Sequence, residues 1–355
     1  MKVIFAGAGT AGHVEPALAV ANWLRENRPE IDLLFLGTIG GVENMLVPDA
    51  EFKLLLIGKV PFPRRLGKEI FTWPFKFLST LRKTRQVLLG ADLVIGFGGY
   101  VAAPAYVAAR RIGIPIIAHE ANAKMGLANK LAKWCGAQIL RAFDDGSLPG
   151  VGIPLRNSIV ELAGASKDFR IQAKRQALRE MKLDPAALTI LVFGGSLGSV
   201  KFNEVILQAQ SEISKKGFQI IHAVGAKNEL PRAEAGYYPL KYIADMASAY
   251  AASDLVISRS GAVTVTETGV LGIYSLYVPL PIGNGEQKEN AKVVVSHGAG
   301  AIIANEKFNA TWLLANIEDL MKCASAWSEQ SQKMDFPLNA SEQICQEILK
   351  VLDHV

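Results

Sequence analysis

The sequence predicts an α/β protein of two doubly wound halves, each a parallel sheet with crossover helices. Three observations carry this. Short apolar runs alternate with longer stretches of helical spacing along all 355 residues. The alternation halts near residue 152 and restarts near residue 188. Glycine-rich turns follow several of the apolar runs, where a strand hands over to a helix.

The elements follow in chain order. "KVIFAGA", from residue 2, is an apolar strand, and "PALAVANWLREN" behind it has helical spacing. "DLLFLGT" is the next strand, and "DLVIGFGGY" and "IPIIAHE" are two more. The seam lies near "GIPLRNSIVELAG", residues 152 to 164. There the strand pattern stops, a proline appears, and a charged helical stretch from Lys167 to Lys182 begins. The second half reads as the strands "LTILVFGGSLG", "FQIIHAVG", "LKYIADM", "DLVISRSGA" and "SLYVPLP". "SEQICQEILKVLDHV" is an apolar-periodic helix at the C-terminus.

Half of the residues are hydrophobic and a fifth are charged, which suits packed cores and not wholesale disorder. The formal charge of +5 is modestly basic. Cys135, Cys323 and Cys345 are too far apart for a metal knuckle or a C-x-x-C pair, and fit a reducing compartment. The N-terminus lacks a signal-peptide pattern, and no run of about 20 apolar residues offers a membrane span. A soluble cytoplasmic protein is expected.

Gly7, Gly9 and Gly12 form a G-x-G-x-x-G turn after the first strand. A nicotinamide site also wants an acidic residue at the end of the second strand. Here Asp32 precedes that strand, and Gly37 and Thr38 end it, so the ribose hook is missing. Similar turns recur at residues 96–100, 194–199 and 258–267. Each can place free N–H groups at a helix N-terminus, where an anion is favoured. Four such turns point to a phosphate-bearing ligand in a cleft between the halves.

The motifs "GTAGHVEPALAVA", "GFGGYVAAPAYVAA", "IPIIAHEANAKMGLANK", "GIPLR", "VFGGSLGS", "YIADMASAYAASDLVISRSGAVTVTE" and "EQKENA" carry a specific resemblance. In order and spacing the set resembles the MurG family, inverting, metal-independent glycosyltransferases that convert lipid I to lipid II in peptidoglycan synthesis. The resemblance runs nearly end to end. It implies the glycosyltransferase B fold, two Rossmann-like domains facing a cleft. The final helix would pack back on the first domain. That makes 1–156 plus 337–355 an acceptor and membrane-facing domain, and 157–336 a UDP-sugar-binding domain.

The resemblance also implies the substrates and their site. The donor is UDP-N-acetylglucosamine; the acceptor is lipid I, an undecaprenyl-linked muramyl pentapeptide glycosylated on its 4-hydroxyl. Ser196 and the helix opened by "SGAVT" (Ala262, Val263, Thr264, Val265, Thr266) would hold the diphosphate. Glu267 would take the ribose hydroxyls, and Ile243 would present its backbone to uracil. Thr10, Ala11, Gly12, Asn122, Arg156 and Gln287 would complete the donor site. The acceptor pyrophosphate would lie near Gly98, Gly99 and Tyr100. The sequence departs from the usual pattern at Ala11, where glycine is common, and at Ala121, which replaces glutamine in H-E-Q-N. It also departs at Ile153, which replaces asparagine in N-P-x-R, and at Glu286, where histidine often stands. The last three bear on hexose contacts more than on uridine contacts.

The residues add chemistry of their own. Ser260 reads as an N-cap, which puts Glu267 about two turns into its helix behind small β-branched residues. The bland alternative is an exposed helix carboxylate. No D-x-D occurs, the motif that holds a divalent ion in glycosyltransferases of the other major fold. Helix N-termini and Arg156 are therefore expected to stabilise the leaving group, with no metal and no cofactor. His13 follows the first glycine turn and can accept a proton near neutral pH. It is the candidate base for the acceptor hydroxyl; binding backbone or acceptor phosphate is its alternative role. Glu120 is the rival base, with His119 beside it orienting a loop.

Residues 59 to 85 carry eight positive charges and one negative, interleaved with aromatics. This fits contact with an anionic cytoplasmic membrane surface. The contact residues would be Arg64, Arg65, Lys68, Phe71, Trp73, Phe75, Lys76, Phe77, Arg82 and Lys83. A solvated basic helix with its aromatics in the core is the alternative. No recognition helix or single-strand module accompanies the stretch, so no nucleic acid is expected. Two other functions stay open: another two-Rossmann glycosyltransferase acting on a glycolipid, and a non-catalytic nucleotide-sugar-binding module.

Overall fold

The structure, a computed structural model, describes residues 1–60, 69–143, 150–281, 284–330 and 332–354, without the side chains of 69–71. The chain divides into two compact units, 1–156 with 337–355, and 157–336.

The first unit begins with strand β1 (Lys2–Gly7), helix α1 (Ala11–Asn27), β2 (Asp32–Thr38), α2 (Glu43–Asp49) and β3 (Lys53–Ile57). It continues with α3 (Glu69–Leu88), β4 (Leu93–Gly98), α4 (Ala102–Ile112), β5 (Ile116–Glu120), α5 (Leu127–Trp134) and β6 (Gln138–Arg141). The strands are parallel in the order β3-β2-β1-β4-β5-β6, with Phe5 level with Phe35 and Ile95. Val3 to Ala6 and Leu93 to Ile95 are buried, because helices cover both faces of the sheet. That is why these strands read as unbroken apolar runs rather than alternating ones.

The second unit contains α6 (Asn157–Gly164), α7 (Lys167–Glu180), β7 (Thr189–Phe193), α8 (Val200–Lys215), β8 (Gln219–Ala223) and β9 (Tyr237–Leu240). After these come α9 (Met246–Ala252), β10 (Leu255–Ser258), α10 (Ala262–Leu271), β11 (Ser275–Tyr277), α11 (Glu286–Val295), β12 (Gly300–Ile302) and α12 (Ala310–Glu329). Its parallel order, β12-β11-β10-β7-β8-β9, repeats the topology of the first sheet. Ser166, Ser199, Asp245 and Asn309 cap helices by accepting main-chain N–H groups. Helix α13 (Ala340–Leu352) returns to the first unit, where Ile344, Cys345, Ile348 and Leu352 join the core beneath α1.

In each sheet the strand order reverses at one point, between β1 and β4 and between β7 and β10. Loops leaving the carboxyl ends of these neighbours diverge, which opens a crevice at that point. The four glycine turns of the sequence leave these four strands.

Several elements differ from the sequence reading. Strands β3, β6 and β12, which the pattern did not reveal, all lie at sheet edges. Edge strands are half-exposed, so their apolar signal is weak; β3 buries only Ile57 fully. The strand expected at "LKYIADM" lies earlier, at Tyr237–Leu240. It too is an edge strand, where Pro239 can be accommodated without an N–H. Asp245 caps α9 and ends the loop that follows. Ser260 is not the cap of α10: Gly261 holds that position, and the Ser260 side chain is fully buried.

Candidate functional site

Each unit gathers a cluster of polar groups at its own switch point. In the first, Gly9 takes a φ of 98° and hands the chain to Thr10, the N-cap of α1. His13 follows in the first helical turn, its N–H donating to Thr10 O at 3.0 Å. The His13 Nδ1 atom lies 3.3 Å from Ala8 O and 3.3 Å from Thr10 Oγ1. The turn after β4 packs directly on this one. A Cβ at Gly98 would stand 3.0 Å from His13 Cδ2, and one at Gly99 would collide with the Ala8 carbonyl. The Tyr100 ring lies alongside Gly9, with the Lys59 ammonium 5.5 Å above its centre. Burial lowers the pKa of His13; the Ala8 hydrogen bond and the charges of Glu120 and Glu43 offset this in part. The ring is therefore neutral at pH 7.

Glu120 ends β5 and is buried. One carboxylate oxygen accepts the main-chain and side-chain N–H groups of Asn122, at 3.0 and 3.1 Å. The other accepts Gly126 N–H at 2.8 Å and Asn129 Nδ2 at 3.0 Å. The carboxylate thus folds the loop that carries Asn122. His119, on the other face of β5, engages Gly152 O through Nε2 at 2.9 Å and so ties down the "GIP" segment. Its pKa too is lowered by burial. At the end of that segment Arg156 pairs with Glu15 of α1 at 3.5 Å.

The second unit repeats the design. Gly195 and Gly198 take positive φ in the β7–α8 turn, which contains the partly buried Ser196. A Cβ at Gly198 would collide with Val224 O, so the turn lies against the end of β8. The β10–α10 turn lies beside it. Arg259 of that turn donates to Ser199 Oγ at 3.2 Å, Val278 O at 2.9 Å and Asn305 Oδ1 at 2.8 Å. Gly261 gives α10 no side-chain cap. Within α10, Ala262, Val265 and Thr266 are buried, while Val263 and Thr264 are partly exposed. Glu267, one face of the helix further on, is 2% exposed and accepts the Tyr250 hydroxyl at 2.9 Å. It is not the exposed carboxylate of the bland alternative. Ile243 precedes α9 and is buried. Gln287 accepts Leu280 N–H at 2.9 Å, and Asn290 donates to Ser260 O at 3.2 Å.

The structure therefore brings Thr10, Ala11, Gly12, His13, Gly98, Gly99 and Tyr100 to one crevice, and Ser196 and the α10 residues to the other. Three residues that sequence reasoning passed over complete these clusters: Glu43, Asn129 and Arg259. Glu43 had one visible signal, a carboxylate set among Gly37, Gly40 and Gly41. Among the described residues no group of three or more His, Cys, Asp or Glu could hold a metal ion.

Of the basic stretch the structure describes residues 59, 60 and 69–85, the last with side chains from residue 72. Arg64, Arg65, Lys68 and the Phe71 side chain lie outside the described residues. On α3, Phe75 is 74% exposed, and Lys76, Leu78, Arg82 and Lys83 are exposed beside it. Phe77 corrects the sequence reading: it is partly buried and packs on the core, because it falls on the opposite side of the helix from Phe75. Trp73 stacks on Phe77 at 5.0 Å and is also partly buried. No helix among the described residues is long and apolar enough to cross a membrane.

Comparison with known proteins adds the family context. Residues 3–140 match the glycosyltransferase family 28 N-terminal domain, and residues 189–347 its C-terminal domain. The UDP-N-acetylglucosamine–N-acetylmuramyl-(pentapeptide) pyrophosphoryl-undecaprenol N-acetylglucosamine transferase of Streptomyces coelicolor is 45% identical over 327 residues, 89% of this chain and 88% of that one. The enzyme of the same name from Corynebacterium diphtheriae is 46% identical over 313 residues, 87% of this chain and 84% of that one. Among solved structures, Acinetobacter baumannii MurG matches with a TM-score of 0.68 at 30% identity, covering 98% of this chain and 99% of that one.

Proposed function

The chain belongs to glycosyltransferase family 28, and we infer that it transfers N-acetylglucosamine from UDP-N-acetylglucosamine to the 4-hydroxyl of the muramyl sugar of lipid I, forming lipid II for peptidoglycan synthesis. The observation that carries this reading is the 45% and 46% identity, over most of the chain, to two transferases named for that reaction. The fold is the glycosyltransferase B type.

His13 is the base. Its Nδ1 faces the Ala8 carbonyl, which can only accept, so Nε2 keeps the lone pair. A base with a pKa held below its ordinary value by burial is unprotonated at neutral pH and ready to accept. Nε2 takes the proton of the 4-hydroxyl as that oxygen forms its bond to the anomeric carbon. The bond from that carbon to UDP breaks on the opposite side, so the configuration inverts. Glu120 suits this role less, since each of its oxygens already accepts two hydrogen bonds.

On the donor side, Ser196, the first turn of α10 and Arg156 receive the diphosphate and the charge it gains on leaving. Glu267 takes the ribose hydroxyls, and the main chain at Ile243 meets uracil. Thr10, Ala11, Gly12, Asn122 and Gln287 complete the donor contacts. Gly98, Gly99 and Tyr100 receive the acceptor pyrophosphate. The first unit faces the acceptor and the cytoplasmic side of the membrane, with the exposed face of α3 resting on anionic lipid as a peripheral contact. No bound metal takes part.

The test is turnover of UDP-N-acetylglucosamine with a short-chain lipid I analogue, run with and without EDTA. Formation of the β1,4-linked disaccharide lipid in both is expected. No product under either condition refutes the substrate assignment, and loss with EDTA that magnesium restores refutes the metal-free mechanism.

A further inference from the structure

Ala8 and Gly9 share one peptide group, and a different side chain engages each of its polar atoms. Its carbonyl oxygen lies 3.3 Å from His13 Nδ1. Its N–H donates to Glu43 Oε2 at 2.9 Å. We propose that Glu43 is a positioning residue for the transfer: through the Ala8–Gly9 peptide it fixes the orientation and tautomer of His13.

The local structure is built around this contact. Glu43 opens α2 and is fully buried. Its other oxygen accepts the Thr38 N–H at 2.9 Å and the Thr38 hydroxyl at 3.1 Å. Buried carboxylates persist where donors satisfy them, and here two of the three donors are main-chain N–H groups. Neighbouring glycines make room for the side chain. A Cβ at Gly37 would lie 2.7 Å from Glu43 Cγ, and one at Gly41 would collide with the carboxylate. On the β4 side the Ala8 carbonyl lies so near Gly99 that a Cβ there would collide with it. The peptide cannot turn over without losing both of its hydrogen bonds. A negative charge at its N–H end also polarises it and makes the carbonyl a better acceptor. Among the described residues the charged groups that act on His13 are Glu120 from β5 and Glu43 from α2, and both favour the protonated ring. On α1 itself Glu15 is paired with Arg156, and from beyond β4 comes Tyr100, with Lys59 over its ring.

The inference rests on His13 being the base, and the experiment separates the two. NMR of full-length protein labelled with ¹⁵N-histidine reads the tautomer and titration of the His13 ring. The wild type should hold the proton on Nδ1; an Nε2–H ring there overturns the proposal without any variant. Glu43→Gln keeps the size and removes the charge. In it the Nδ1–H form should lose its dominance, and the His13 midpoint should move to lower pH. The kcat should fall about 10- to 100-fold, less than loss of the base itself, with KM for the sugar nucleotide within about twofold. An unchanged tautomer and midpoint in Glu43→Gln overturn the proposal. If the ring responds as expected, but the acidic limb of wild-type kcat does not follow the His13 midpoint, the positioning is upheld and the base assignment falls.

Discussion

The imidazole of His13 stands against the backbone of Gly98, so that a Cβ there would lie 3.1 Å from Nε2. Gly98 has a φ of 97°. Gly98→Ala therefore joins backbone strain of about 1–2 kcal/mol to pressure on the ring. A small drop in the unfolding midpoint is expected, with a loss of kcat of up to about 100-fold and little change in sugar-nucleotide affinity. Wild-type kcat in the folded variant would show that the ring tolerates displacement.

Stability should fall in mild acid. Burial holds the His222 imidazole down to about 4, and lowers His13 and His119 as well. In the unfolded chain a histidine titrates near about 6.5. Between those values the unfolded chain binds protons that the folded one does not, so stability is lost as pH falls from about 6.5 towards 4. His222 alone contributes about 3 kcal/mol to that loss. Urea unfolding midpoints at pH 7 and 4.5 measure it; equal midpoints contradict the burial argument.

The assignment of Glu267 to the ribose can be separated from its structural role. Glu267→Gln keeps the shape and removes a charged acceptor, worth about 1.5–3 kcal/mol. UDP affinity should drop about 10- to 150-fold by calorimetry. Tyr250→Phe deletes only the hydroxyl that Glu267 accepts, and should lower UDP affinity by less. Wild-type UDP affinity in Glu267→Gln would remove this residue from the donor site.

The exposed face of α3 makes a prediction about lipid. Phe75→Ser combined with Gln at Lys76, Arg82 and Lys83 strips that face of its ring and three charges. At about 1 kcal/mol per charge, binding to anionic vesicles should weaken on the order of 100-fold, and wild-type binding should decline with salt. Turnover of a water-soluble acceptor should hold. Co-sedimentation equal to wild type would place the contact elsewhere.

What the sequence made legible follows from where each residue lies. Central strands such as β1 and β4 are buried on both faces, so their apolar runs are continuous and easily read. The edge strands β3, β6, β9 and β12 were missed or displaced because partial exposure breaks that signal. His13 was visible because it directly follows a glycine turn. Glu43 showed only its glycine neighbours, because its role depends on Gly9, 34 residues away in sequence. Ser260 matched the preference for a cap, yet burial of its side chain hands that position to Gly261. Phe77 looked like Phe75 in a mixed basic stretch; only the helix phase tells the core-facing ring from the exposed one.

Helix α13 has a consequence for how the chain is made. The first unit cannot complete the core beneath α1 until residues 340–352 leave the ribosome, whereas residues 157–336 form an uninterrupted unit. At 5–20 residues per second, the 180 residues of that unit (157 to 336) take about 10–40 s to emerge. Over that interval the core beneath α1 lacks Ile344, Cys345, Ile348 and Leu352. The later-synthesised unit can therefore mature first, and a nascent chain halted before residue 340 would present bare apolar surface to chaperones.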